Sequence, residues 1–80
     1  MFPVFVELPC RVFYSGRIDT VPLLIALNAI AEITPYFLDN ESYTTLFSVD
    51  GKEYTITKPY KDVVNAIQKA LGGADDAEIH

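Results

Sequence analysis

Between Tyr43 and Leu71 the chain alternates, turns, alternates again and then changes period. Tyr43 to Val49 and Lys52 to Thr57 are rich in Thr, Tyr, Phe, Val and Ile and flank Asp50-Gly51, the pattern of a β-hairpin on a two-residue type I′ turn. Such a turn pairs Val49 with Lys52, Phe47 with Tyr54, Thr45 with Ile56 and Tyr43 with Lys58 on one face. Ser48 with Glu53, Leu46 with Thr55 and Thr44 with Thr57 take the other, so the register predicts that the Phe47 face is buried. From Pro59 the apolar positions move to helical spacing. Tyr60, Val63, Val64, Ile67, Ala70 and Leu71 form one stripe and Lys61, Asp62, Asn65, Gln68 and Lys69 oppose it, which predicts an amphipathic helix that Gly72-Gly73 ends.

Upstream the pattern is less decisive. Phe2 to Leu8 is apolar apart from Glu7 and reads as a strand bounded by Pro3 and Pro9. Cys10 to Tyr14 is extended, either as a second piece or as the same strand continued past a bulge; Ser15-Gly16 turns the chain, and Arg17 to Thr20 reads as a polar connection. Val21 to Thr34 admits two readings. A strand from Leu23 to Leu27, a turn at Asn28-Ala29 and a strand from Ile30 to Phe37 is one; a helix over 21–33, capped by Thr20 with Pro22 in its first turn, is the other. An all-round apolar helix is hard to bury in a small two-layer domain, which favours the strands.

The expected architecture is therefore one α+β domain over residues 1–73: a bent antiparallel sheet of four or five short strands, curving toward a barrel, with one C-terminal helix. The alternative has two helices. Residues 74–80, Ala-Asp-Asp-Ala-Glu-Ile-His, read as a flexible acidic tail. A domain of this size buries only about 60 to 65% of its unfolded surface and yields roughly 3 to 5 kcal/mol net. Ten aromatic residues are more than one thin sheet and one helix hide easily, so an exposed apolar patch is expected.

Charge narrows the function classes. The net charge is −5, and Arg11, Arg17, Lys52, Lys58, Lys61 and Lys69 are scattered among eleven acidic residues, the opposite of a phosphate-binding face. The acidity reads first as solubility and second as a surface that imitates DNA for some partner. A lone Cys10 forms no internal disulfide, nothing at the N-terminus resembles a signal peptide, and the longest apolar run is too short for a membrane helix. A soluble, cytoplasmic protein without membrane or direct nucleic-acid contact is expected.

Candidate chemistry is thin. Cys10 and His80 are the only thiol and imidazole, and His80 stands in the tail; Asp75, Asp76 and Glu78 offer metal-ligand types on no rigid element. The four glycines stand at turns and stops, with no phosphate loop, and Asn40-Glu41-Ser42 matches a glycosylation sequon without a secretion signal. No catalytic residue, cofactor or metal is expected. The remaining signal is aromatic: Phe13, Tyr14, Tyr36, Phe37 and Tyr43 flank turns beside Asp39 and Glu41, and aromatic anchors with a polar rim suit a protein-binding surface.

Phe5-Val-Glu-Leu8, Leu24-Ile-Ala-Leu-Asn-Ala-Ile-Ala-Glu-Ile-Thr-Pro35, Val49-Asp-Gly-Lys-Glu-Tyr-Thr-Ile-Thr57 and Tyr60-Lys-Asp-Val-Val64 resemble short phage, prophage and flagellar-operon proteins of the FlbD and SwrD kind. The resemblance spans roughly three quarters of the chain; it departs from the group over Pro9 to Thr20, which are extra, and at Lys58, where the group carries an acidic residue. It implies a small β-rich fold and a non-enzymatic role, such as a phage-encoded modulator or inhibitor of a host defence, transcription or replication complex. A self-associating accessory protein, a homodimer included, is the alternative. The order of elements is also similar to LytTR-type DNA-binding domains, but the basic cluster those domains use is missing here.

Overall fold

The computed structural model describes residues 4–72 and shows five strands and one helix. In chain order these are β1 (Phe5–Tyr14), β2 (Arg17–Ala26), a short 3-10 turn (Leu27–Ala29), β3 (Ile30–Leu38), β4 (Glu41–Ser48), β5 (Glu53–Ile56) and α1 (Tyr60–Gly72). The strands form one sheet in the order β2-β1-β5-β4-β3, antiparallel at every pairing. The α+β expectation holds, with five strands. The helix alternative over 21–33 is overturned: that stretch is the end of β2, the 3-10 turn and the start of β3. The expected tail lies outside the described residues, as do Met1 to Pro3, where the first strand was expected to start.

Two long hairpins make the frame. The β1–β2 hairpin turns at Ser15-Gly16, where φ is +50° and +76°, and the β3–β4 hairpin at Asp39-Asn40, where φ is +51° and +67°. Positive φ at both central residues defines the type I′ turn that continues the strand twist. Arg17 to Thr20, expected as a connection, instead pairs with Tyr14 to Arg11 and extends β2 to the turn. Cys10 to Tyr14 is the uninterrupted continuation of β1.

The sheet is bent by its own connection. Ala26 is level with Phe5 at the start of β1, whereas Ile30 is level with Ser48 at the end of β4, and β1 and β4 run in the same direction. In a flat sheet these positions would lie about 30 Å apart along the strands, while four residues reach about 14 Å at most. The sheet must therefore coil until the end of β2 approaches the start of β3. Backbone bonds fix the corner to both hairpins, Leu27 N–H to Val4 C=O and Val49 N–H to Ala29 C=O, each 2.8 Å. β2 and β3 remain unpaired edges, so the sheet curves toward a barrel without closing.

The register of β4 against β5 differs from expectation. Thr44 opposes Ile56, Leu46 opposes Tyr54 and Phe47 opposes Glu53, one residue away from the two-residue solution. The loop has three residues, Val49-Asp50-Gly51, and only Gly51 has positive φ, at +91°. A turn completed by a left-handed glycine is the next most common hairpin connection. Ser48 makes it the better one here: its N–H donates to the Lys52 carbonyl (2.8 Å), its Oγ accepts from the Lys52 N–H (3.0 Å), and its hydroxyl donates to the Asp50 carboxylate. Since a one-residue slip exchanges the faces of a strand, Thr44, Leu46 and Ser48 are buried while Thr45 and Phe47 face outward.

The core lies on the concave side of the sheet, under α1. Leu46, Ile56 and Val63 are fully enclosed, with Val6, Leu8, Cys10 and Ile25 around them. Val63, Ala66, Ile67 and Ala70 are the helical residues packed there; Tyr60 and Leu71, expected in the stripe, are exposed. The small alanines let the helix approach the sheet closely. Pro59 stands just before the helix, and its carbonyl accepts from the Asp62 (3.0 Å) and Val63 (3.1 Å) N–H groups, supplying the start that no side-chain cap provides. Buried Thr44 donates its hydroxyl to the Lys58 carbonyl at 2.8 Å and so ties β4 to the β5–α1 link.

Candidate protein-binding face

Alternation along the strands sorts every side chain onto one of two faces. On β1 the residues between the core positions are Phe5, Glu7, Pro9, Arg11 and Phe13; their partners on β2 are Ala26, Leu24, Pro22, Thr20 and Ile18. β5 adds Glu53 and Thr55, β4 adds Glu41, Tyr43, Thr45 and Phe47, and β3 adds Glu32, Thr34, Tyr36 and Leu38. No element among the described residues covers this convex face, since α1 packs on the other.

Arg11 is the centre of the face. Its neighbours across β5 and β4 are Thr55 and Thr45, whose small side chains leave room for a long one to lie over them. The guanidinium reaches past β5 and stands 5.3 Å from the Tyr43 ring centroid and 5.5 Å from that of Phe13, on its own strand. A cation over the face of an aromatic ring is held by the ring quadrupole. The Arg11 Nε is enclosed and has no hydrogen-bond partner among the described residues, so the rings, rather than an acceptor, surround this part of the charge. Beyond Tyr43 the ridge continues to Tyr36, whose ring centroid is 6.0 Å away at a tilt of 38°. Ile18, opposite Phe13, extends it at the other end.

The Tyr43 hydroxyl donates to Glu41 Oε1 at 3.0 Å. That bond, with desolvation and the carboxylate's charge adding to it, pushes the Tyr43 hydroxyl above its ordinary value of 10.0; the Arg11 charge opposes the shift. Tyr43 therefore stays protonated as a donor and holds Glu41 beside the ridge.

Of the residues expected to form a binding surface, Phe13, Tyr36, Glu41 and Tyr43 share this face. Tyr14 and Phe37 are each one residue out of phase and lie on the opposite side, level with Arg17 and Ser42; Asp39 sits in the turn. Phe13 and Phe37 are the most exposed of the five aromatics, at 71% and 70%, but they point apart. Adjacent strand residues cannot share a face, so parity alone separates Tyr36 from Phe37. Sequence reasoning missed Arg11 and Ile18. Arg11 was legible by the same parity, two residues before Phe13; its reach to Tyr43 depends on the strand order.

The remaining candidates form no chemical constellation. Cys10 is buried and free, its Sγ facing the Arg11 carbonyl at 3.7 Å, and burial raises its thiol above the ordinary 9.0 although a backbone hydrogen bond from Thr55 acts the other way. Asp75, Asp76, Glu78 and His80 lie outside the described residues. Among the described residues no group of acidic, thiol or imidazole side chains is placed to hold a metal ion, and no helix is long and apolar enough to cross a membrane. No family model, curated protein or solved structure matches the chain.

Proposed function

We propose that this chain is a small non-enzymatic protein-binding module that works through the convex face of its sheet. The observation that supports it most is the Phe13–Arg11–Tyr43–Tyr36 ridge: aromatic anchors from three strands, linked through one arginine and left uncovered by α1. Tyr, Phe and Arg are the residues that carry binding energy at interfaces, and rings already held by their neighbours lose little freedom on contact. The resemblance to phage, prophage and flagellar-operon proteins supports a more specific role, a modulator or inhibitor of a host complex in the cytoplasm.

The self-association alternative has a weaker physical basis. Both edge strands carry a proline, Pro22 in β2 and Pro35 in β3, and β3 has a register irregularity between Ile30 and Glu32. Pro9 directs its carbonyl at Thr57 (3.0 Å), on the β5 side, so Pro22 opposite it turns its ring nitrogen to the open edge. An added strand would find no donor there. A DNA-binding role is weaker still, because Arg11 is the one cation on the convex face among the described residues and is already held by two rings.

Capture from a host lysate tests the reading by comparing two double variants. Tyr36→Ala/Tyr43→Ala removes the two tyrosines of the ridge, and Tyr14→Ala/Phe37→Ala removes two more exposed aromatics from the other face. Loss of the captured protein in the first alone supports the reading; equal retention in both, with the fold intact, removes it.

A further inference from the structure

Every glutamate in the sheet is on the convex face. Glu7, Glu32, Glu41 and Glu53 come from four different strands, and each alternates with core positions on its own strand. The other side is different: Lys61 and Lys69 outnumber Asp62 on α1, Lys58 precedes it, and the one strand aspartate, Asp19, is paired with Arg17 at 3.2 Å. The sheet has thus placed its glutamates on one face, while the aspartates of the described residues stand on the other face or in the turns. Solubility alone does not require such sorting, because it depends on net charge rather than on which face carries it.

The convex carboxylates stand beside apolar groups. Glu41 is next to Tyr43 and opposite Leu38; Glu53 and Glu32 flank Phe47 on its two sides. Among the described residues none of these glutamates is in an ion pair, and Arg11 faces rings instead of any of them. The pattern is acidic and apolar in alternation, with carboxylates available to an incoming cation.

We propose that the convex face binds a segment of another protein in which lysine or arginine alternates with apolar or aromatic residues. The cations would meet Glu32, Glu41 and Glu53, and the apolar side chains would cover the Phe13–Tyr43–Tyr36 ridge and Phe47. Charge complementarity decides against an acidic partner, since like charges across an interface suppress binding. Neutral apolar partners would leave the carboxylates desolvated and unpaired. This rests on the protein-binding reading above and adds the partner's chemistry to it.

The probe is a short synthetic peptide alternating lysine with leucine and phenylalanine, titrated against the full chain by calorimetry, beside a counterpart with glutamate for lysine and one with serine for the apolar residues. Binding of the first peptide only is expected. Glu32→Gln/Glu41→Gln/Glu53→Gln should weaken it about tenfold, because three exposed pairs together approach that factor. Tyr36→Ala/Tyr43→Ala should abolish it, and Lys61→Gln/Lys69→Gln should leave it unchanged. Absence of binding, equal binding of the glutamate peptide, or full affinity in the glutamine variant would overturn the proposal. Light scattering addresses a second copy as occupant: association abolished both by the glutamine variant and by Lys61→Gln/Lys69→Gln would assign the face to the chain's own helix and overturn it too. If lysate capture is lost in Tyr36→Ala/Tyr43→Ala but retained in the glutamine variant, the protein-binding reading stands and only the basic partner falls.

Discussion

The Arg11 guanidinium lies 5.3 Å from the centre of the Tyr43 ring although the two residues belong to strands separated by β5. The contact joins the two hairpins across the shortest strand of the sheet, over Thr55. Arg11→Ala should therefore destabilise the chain by about 1 kcal/mol through lost ring contact and lost packing of the stem. Arg11→Met, which keeps the stem, should cost about half of that. Urea unfolding of both variants measures it.

Register makes a sharper prediction. Leu46 is fully buried and Phe47 is partly exposed on the convex face. Leu46→Ala should cost about 3 kcal/mol, most of the stability of a domain this small, whereas Phe47→Ala should cost about 1 kcal/mol. The reverse order in denaturant midpoints would restore the two-residue turn at Asp50-Gly51.

Thr44 connects β4 to the link before α1, and its hydroxyl is the donor to the Lys58 carbonyl. Thr44→Val keeps the shape and removes the donor, leaving that carbonyl without this bond; a loss of about 1 to 2 kcal/mol is expected. Hydrogen exchange should show faster opening of α1 in this variant, since the helix start is what the bond holds.

The pH dependence has one identifiable contributor in acid. The Ser48 hydroxyl, chiefly, with the Lys52 backbone and ammonium, holds Asp50 below its ordinary 3.8, against some desolvation. A carboxyl lowered in the folded state stabilises above its unfolded value and loses that contribution as pH falls through the folded one. Wild type should thus be more stable than Asp50→Asn near neutrality, and the difference should fade as pH falls below 3.8 through the lowered folded value. Tyr43 works in the opposite direction: its raised hydroxyl contributes fully below pH 10.0, and the contribution fades as pH rises through the higher folded value. Thermal melts across both limits read the two effects, with Tyr43→Phe as the alkaline control.

The edge strands give a test by gain. Pro22→Val restores an N–H on the open edge of β2, so the variant should associate with rising concentration while wild type does not. Static light scattering distinguishes them.

Much of this fold was legible in the chain. The apolar stripe after Pro59 located the helix, Ser15-Gly16 marked a turn although the strand pairing of Arg17 to Thr20 beyond it was not read, and the difficulty of burying an all-round apolar helix separated β2 from β3. The β4–β5 register was not legible, because Tyr43-Thr45-Phe47 is the more apolar face and Thr44-Leu46-Ser48 is the buried one. Two side chains decide it: Ser48, whose N–H and Oγ close the three-residue turn on Lys52, and Thr44, whose hydroxyl reaches the Lys58 carbonyl. The candidate surface was divided for a different reason: Tyr14 and Phe37 were grouped with Phe13 and Tyr36 by nearness to turns, while strand parity separates them. Arg11 became a central residue only when the strand order placed β5, with its threonine, between β1 and β4.

Tyrosine modification with and without a bound partner tests the central claim most directly, because the chain carries tyrosines on both faces. Tyr36 and Tyr43 belong to the convex ridge, Tyr14 to the opposite face and Tyr60 to the exposed start of α1. Nitration followed by peptide mass analysis should show Tyr36 and Tyr43 protected in the complex, with Tyr14 and Tyr60 as reactive as in the free protein. Protection of Tyr14 or Tyr60 with unchanged reactivity at Tyr36 and Tyr43 would contradict binding through the convex face.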